Sequence, residues 1–417
     1  MLDGGTIALA KIVIVGTSNS VMGEKGFIRS LSIEHDVINL SAGRVPFYCH
    51  IKTIELNKEL IESCDLLIID HYINDLNFYT RKFGEQYNRE CEYFYQLLST
   101  LNTNIINLLF PVKNLINKLA SSYYRRVKQL TKKYNLSLVD LNEYDFKPYH
   151  YDNPVHISHK ISYILGLSLS KIADKFQGSK PRGGRLISSP FKVFDAKSLA
   201  KFAPHSEIKT FSNSLLEVDY LKVHRQFSIP DLTGMALKSI GYLTPKGMNS
   251  QSGVIVNDKH RFSLLTGGYF HESFDREIII KDELTFAPMQ GSYDDVPSLM
   301  QRAKISGNFN FLFIADILLS TGTQIQYNPA QRIGETIYLS DLEPMLDSIL
   351  VDTETILTHL SSTSLNALRD AAILLENIDL NKSYELMMLV QKERPQSKFI
   401  KNKLALYRQK LDTAFST

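Results

Sequence analysis

Short apolar runs alternate with amphipathic stretches over the first 177 residues. Residues 11–16 (KIVIVG), 36–40 (DVINL), 66–70 (LLIID), 104–110 (NIINLLF) and 136–141 (LSLVDL) are rich in β-branched and aliphatic positions. Each is short and without helical period, so each reads as a buried strand. Helical spacing fills the intervals, at 27–32, 51–63, 85–101 and 112–134. Ser158 reads as the N-cap of a further helix running to about residue 176. Strands alternating with helices predict a parallel sheet covered on both faces.

The pattern then changes twice. Residues 178–185 (GSKPRGGR) have no apolar period and read as a solvated linker. Across 186–335 short strand-like runs recur at 207–211, 216–223, 252–257, 261–265, 276–280, 310–314 and 323–327, with Gly and Pro at 244–247 and 266–268 between them. This predicts a mostly β module, sandwich or jelly-roll-like. Residues 336–417 return to helical spacing, at 341–348, 354–360, 364–377, 381–392 and 397–414, and predict helical hairpins that act as a cap or a self-association element. The expected organisation is therefore 1–177, a linker at 178–185, 186–335 and 336–417.

Composition narrows the function classes. The 417 residues hold 47 Lys+Arg against 44 Asp+Glu, a formal charge of +3, which gives no electrostatic case for a nucleic-acid binder. The basic and aromatic stretch 123–134 reads as an amphipathic helix with its charges in water. No apolar run reaches the roughly 18 residues of a membrane span. The start carries Asp3 and a short apolar stretch cut by Lys11, unlike a secretory leader, so a cytoplasmic location is expected. Cys49, Cys64 and Cys91 are scattered, which argues against a disulfide framework or thiolate zinc site. His150, His156 and His159 lie close in sequence but lack metal-ligand spacing, so no metal and no cofactor is expected.

Chemistry gathers where strands end. The first strand runs into Gly16-Thr17-Ser18-Asn19-Ser20, the second into Ser41-Ala42-Gly43, and the third into Asp70-His71-Tyr72-Ile73-Asn74. Open α/β sheets bind ligands at that carboxyl edge. Ser18 there is placed as a nucleophile, although Ser18 and Ser20 equally suit helix capping. Gly43 suits a turn or a bare N–H donor, and Asn74 a carboxamide donor. After the fifth strand comes Tyr151-Asp152-Asn153-Pro154-Val155-His156, a His with an Asp upstream, the makings of a base and its orienting acid.

The order Ser, Gly, Asn, Asp/His, each after a strand of one sheet, resembles the SGNH (GDSL-type) hydrolases over about residues 10–176. The resemblance implies a flavodoxin-like three-layer α/β domain. It implies Ser18 as nucleophile, and the Ser18 N–H, Gly43 N–H and Asn74 side chain as oxyanion hole. His156 would be the base and Asp152 its partner, with His159 a second candidate base. Three positions depart from the family pattern. Thr17 replaces an Asp, Tyr72 replaces a Gly, and three residues separate Asp152 from His156 where the family has two, which puts Asn153 in the acid's place. Either the loop bulges at Pro154 so that Asp152 still reaches the ring, or the site is a Ser-His dyad. The resemblance implies an esterase or O-acetyltransferase acting on an acetylated glycan or sugar precursor. A catalytically silent scaffold that binds glycan or protein partners is the alternative. In the β module Phe262, Tyr269, Phe270 and Phe274 suit core packing or sugar stacking.

Overall fold

The computed structural model describes residues 9–346 except 22–24, 44, 82–83, 113–117, 148–149, 214–215, 245–250, 265–267 and 298–303, and beyond these residues 369, 372–373, 375–376, 379–393 and 396–414. Strands β1 (Lys11–Val15), β2 (Asp36–Asn39), β3 (Leu66–Ile69), β4 (Asn104–Leu109) and β5 (Ser137–Asp140) form one sheet in the order β2-β1-β3-β4-β5. Every neighbouring pair is parallel. This is the flavodoxin-like order, and it fits an α/β fold of the SGNH type. All four residues of β3 are buried, as are residues 12–15 of β1. That is why these strands read as unbroken apolar runs and not as alternation.

Helices α1 (Gly26–Glu34), α2 (Phe47–Leu56), α3 (Lys58–Ser63), α4 (Tyr72–Arg81), α5 (Gly84–Ser99), α6 (Lys118–Lys133) and α7 (His159–Phe176) cover the sheet. The helix expected over 51–63 is two, because Asn57 leaves helical geometry between α2 and α3 and returns its side-chain amide to Thr53 O. Helix α4 is not expected from the sequence, because the polar residues Asn74, Asp75 and Asn77 break the apolar spacing there. Ser158 caps α7 as predicted, accepting from Ile161 N. Helices α1 and α7 touch closely. A Cβ on Gly166 would lie 1.8 Å from Ser30 Oγ and 2.4 Å from Phe27 O, so no larger residue fits. Ser162 Oγ accepts from Phe27 N at 3.0 Å, and Ser30 Oγ donates to Tyr163 O at 2.7 Å. This seam holds α7, which begins three residues after His156, against α1.

Residues 178–185 are strapped down. Gly178 N donates to Asp65 Oδ1, Lys180 Nζ donates to Glu62 O and Ser63 O, and Gly184 N donates to Asn102 Oδ1. These hydrogen bonds tie the segment to the amino edge of the sheet, while residues 178–180, 182–183 and 185 stay exposed.

The strand-rich part is one eleven-stranded mixed sheet organised around Lys304–Ser320, a 17-residue strand. That strand pairs antiparallel with Glu217–Val223, Ala236–Thr244, Gly291–Pro297 and Phe191–Asp195, and parallel with Gln251–Val256. Its length was hidden by the Gly307 and Asn308 break in the apolar pattern. Ala236–Thr244 was missed because Lys238, Ser239 and Gly241 interrupt it. Tyr269 and Phe274 are buried in this part, and Phe262 and Phe270 pack against its core, so these rings serve packing.

The chain then returns to the first sheet. Leu138 N donates to Glu335 O and Ile337 N to Leu138 O, adding a bridge on the edge strand β5. Ile325, Ile337, Leu339, Leu342 and Leu346 join the same core as β1–β5. The expected helices at 354–360 and, for the most part, 364–377 lie outside the described residues. Leu380–Glu393 and Lys398–Ala414 form a helical pair with its own core of Leu386, Met387, Val390, Ile400, Leu404 and Tyr407. Among the described residues, no helix is long and apolar enough to cross a membrane.

Candidate active site

Strand β1 ends at Gly16, where a Cβ would fall 2.5 Å from Ser20 Oγ and 3.2 Å from Asp70 Cβ. The chain then turns tightly, with Ser20 N donating to Thr17 O at 2.9 Å. Asp70, at the end of β3, clamps the turn. Its Oδ2 accepts from Thr17 N at 3.2 Å, Thr17 Oγ1 at 3.0 Å and Ser20 Oγ at 2.7 Å. Burial pushes the Asp70 carboxyl up, and these hydrogen bonds oppose that only in part. Asn39 on β2 adds a hydrogen bond to Ser20 O at 3.0 Å. Ser20 and Thr17 are thus spent on holding the loop, and Ser18 is left half-buried at its tip. The carboxylate that holds the turn comes from the neighbouring strand, as the Asp that closes the apolar run of β3.

The loop after β5 meets this turn. Strands β6 (Tyr151–Asn153) and β7 (His156–Ile157) form a two-residue hairpin through Pro154 and Val155. Asn19 Nδ2 donates to Val155 O at 3.0 Å, tying hairpin to turn. His156 Nε2 then lies 2.6 Å from Ser18 Oγ. The other ring nitrogen corrects the expectation for Asp152. His156 Nδ1 faces Asn153 Nδ2 at 2.8 Å, and Asp152 is exposed, making no hydrogen bond to the ring. The hairpin register accounts for this: Asn153 is the register partner of His156, and Asp152 is the extra residue where the register shifts between Tyr151 and Asn153, outside the pairing. Asp152 still lines the same recess and acts through its charge. Burial lowers the His156 pKa, with Asp152 pulling it back only partly. His159 is exposed on the rim, one residue past the cap Ser158, and it is His156 that reaches Ser18.

Asn153 is anchored by more than the ring. Its Oδ1 accepts from Val155 N and His156 N, both at 3.1 Å. Turning the amide over would set its NH₂ against two backbone N–H groups. At about 0.5–1.5 kcal/mol net per hydrogen bond, plus the donor–donor conflict, that orientation loses.

Gly43 and Asn74 follow β2 and β3, the strands on either side of β1, each about 4.8 Å from it. Ala42 N donates to Gly16 O at 3.1 Å, and a Cβ on Gly43 would sit 4.0 Å from Val21. Both observations bring Gly43 to the rim of the turn that carries Ser18. Asn74 is buried in the first turn of α4. Its neighbour Asp75 accepts from Phe47 N at 3.0 Å, the first N–H of α2, and also pairs with His71 Nδ1 at 2.6 Å. Asp75 therefore braces the segment after Gly43 against the helix that carries Asn74. Tyr72, in place of a Gly, is fully buried and packs on Tyr124 with ring centroids 5.7 Å apart. The recess beside Ser18 is lined by Asn19, Lys25, Asp152, His156 and His159, with a volume of about 30 Å³.

A second constellation has the connectivity of a triad and was not anticipated. His271 Nε2 lies 2.8 Å from Ser239 Oγ, and His271 Nδ1 lies 3.0 Å from Asp316 Oδ1. All three residues are at most 2% exposed, so no acyl donor reaches the hydroxyl. Lys52 of α2 completes the cluster, 3.1 Å from Asp316 Oδ2. Burial alone would discharge His271, but the charges of Cys49 and Asp316 outweigh it and push its pKa up to about 9. An imidazole held protonated at neutral pH is no base. This cluster joins α2 to the strand-rich part. Among the described residues, no group of three or more His, Cys, Asp or Glu is arranged to hold a metal ion.

No protein-family model matches this chain, and no curated protein matches it. Solved structures similar to part of it include a lipase/acylhydrolase from Enterococcus faecalis, at 18% identity over 42% of this chain and 100% of that one, TM-score 0.34. A psychrotrophic esterase from Pseudoalteromonas sp. is 15% identical over 40% of this chain and 98% of its own, TM-score 0.34. An acetylxylan esterase from Geobacillus stearothermophilus is 18% identical over 40% and 94%, TM-score 0.33.

Proposed function

We propose that this protein is a serine-dependent acyl-ester enzyme, an esterase or O-acetyltransferase, with Ser18 as nucleophile and His156 as general base. The observation that carries this reading is the 2.6 Å approach of His156 Nε2 to a reachable Ser18 Oγ at the carboxyl edge of a parallel sheet. In the reactive state His156 Nε2 takes the Ser18 proton as Oγ bonds to the ester carbonyl carbon. The Ser18 N–H, the Gly43 N–H and the Asn74 carboxamide surround the carbonyl oxygen as it becomes an oxyanion. Each such donor is worth about 2.7–4 kcal/mol of barrier. The carbon–oxygen ester bond then breaks, and His156 returns its proton to the leaving alcohol. Water, or the hydroxyl of a sugar, repeats the sequence in reverse and frees the acyl group. The sugar side of the substrate rests on the sequence resemblance.

A second reading, a silent glycan-binding scaffold, is favoured by Asn153 in the place of an acid. The two separate on treatment with a fluorophosphonate. The enzyme reading expects one covalent adduct, mapped to Ser18 and lost in Ser18→Ala. An unlabelled native protein, or a label that survives Ser18→Ala, rejects it.

The pH profile follows from His156. Its neutral form is the base, and its pKa is lowered by burial. The acid limb of p-nitrophenyl acetate hydrolysis is expected to be centred below pH 6.5. An acid limb centred above 6.5 would contradict this.

A further inference from the structure

We infer that Asn153 is a positioning residue that holds resting His156 in the tautomer carrying its proton on Nε2, so that Ser18 Oγ accepts a hydrogen bond where a nucleophile would donate one. The inference builds on the reading of Ser18 and His156 as nucleophile and base. It starts from three contacts of one side chain. Asn153 Oδ1 is occupied by the N–H groups of Val155 and His156, so Nδ2, a donor, is what faces His156 Nδ1 at 2.8 Å. A neutral imidazole has one donor and one acceptor nitrogen. With Nδ1 accepting from Asn153, the proton is on Nε2, 2.6 Å from Ser18 Oγ. An Asn that orients a catalytic His normally does so through its carbonyl oxygen; here that oxygen is already taken.

Two consequences follow. Ser18 attack waits on a tautomer change, in which one proton leaves Nε2 to solvent water and one from water arrives at Nδ1, with no net change of charge. Nε2 then has a free lone pair for the Ser18 proton, and the active fraction of enzyme is the fraction in that minor tautomer. A donor against Nδ1 also opposes the imidazolium that forms during catalysis. Both consequences reverse in Asn153→Asp. One carboxylate oxygen keeps the two backbone N–H groups, and the other accepts Nδ1–H.

The test has one arm on the resting protein and one on a variant. In ¹⁵N-histidine-labelled native protein at pH 8, with His156 assigned by its loss in His156→Gln, Nε2 is expected to carry the proton and Nδ1 to resonate as the unprotonated nitrogen. In Asn153→Asp the pattern inverts. Hydrolysis of p-nitrophenyl acetate by Asn153→Asp is expected to rise at least tenfold, toward the about 10⁴-fold that an Asp-to-Asn change costs in a serine-protease triad. Its acid limb is expected to move to higher pH. Asp152, Lys25 and His159, the other titratable groups lining the recess, are unchanged by the substitution. A native ring protonated at Nδ1, or an Asn153→Asp variant no faster than native with an unmoved acid limb, overturns the inference. A Ser18→Ala variant as active as native would instead remove the proposed function, while the resonances of His156 would still decide the tautomer.

Discussion

Ser18→Ala is expected to lower kcat for an acetyl ester by about 10⁶ in the Asn153→Asp background and by only about 10² in the native protein. The asymmetry follows from how a nucleophile and its base act as a unit. In subtilisin, loss of the nucleophile or the base costs about 2 × 10⁶, and loss of the acid alone about 3 × 10⁴. The native protein has Asn153 against Nδ1 and no acid there, so most of the unit's advantage is already missing before Ser18 is removed. What remains after Ser18→Ala in either background is the contribution of the oxyanion donors and of binding. The thermodynamic cycle is read from steady-state hydrolysis of p-nitrophenyl acetate by native, both single variants and the double variant. Equal losses in the two backgrounds would show that Asn153 and Ser18 act independently.

Asp316→Ala is expected to cost about 3–5 kcal/mol of stability, the penalty for stranding buried charge. Asp316 is 2% exposed, faces Lys52 and His271, and accepts from Tyr269 Oη at 3.1 Å. Burial would raise its carboxyl, but Lys52 and His271 outweigh that and hold it well below the usual carboxylate range. Burial would lower the Lys52 ammonium, and Asp316 and Cys49 outweigh that and raise it. Removing the carboxylate leaves two buried cations with one thiol between them. The pH dependence has a definite sign. The folded value of Asp316 is depressed, so its share is present above about pH 4 and lost as pH falls. The folded value of His271 is raised to about 9, so its share is full below about 6.5 and fades as pH climbs toward 9. The gap between native and Asp316→Ala is therefore widest between about pH 4 and 6.5, measured by denaturant unfolding. A gap below 1 kcal/mol there would reject a structural role for the pair.

The α/β part was legible because β1, β3, β4 and β5 are buried almost throughout, and KIVIVG and LLIID read as buried strands in a chain of this composition. The carboxyl-edge positions of Ser18 and His156 followed from the strand order, which the sheet now has. The partner of His156 did not. Asp152 and Asn153 differ by one position, and the register shift in the hairpin pairs Asn153 with His156 and leaves Asp152 outside the pairing. Sequence spacing favoured Asn153 geometrically and Asp152 chemically, and geometry won. Asp70 and Asp75 escaped notice because each acts across strands, on Thr17 and Ser20 in one case and on Phe47 N in the other. Such contacts depend on which strand ends become neighbours. The strand Ala236–Thr244 was illegible for a related reason. Its buried Lys238 and Ser239 look like surface residues until their partners Glu277 and His271 are brought to them.

The most direct measurement is the mass of the protein quenched in acid within the first turnover on p-nitrophenyl acetate. If Ser18 carries the acyl group between substrate and acceptor, a single acetyl adduct appears, maps to the peptide holding Ser18, accumulates further in Asn153→Asp and is missing from Ser18→Ala. An adduct on any other residue, or turnover that continues in Ser18→Ala with no adduct at all, would contradict the account.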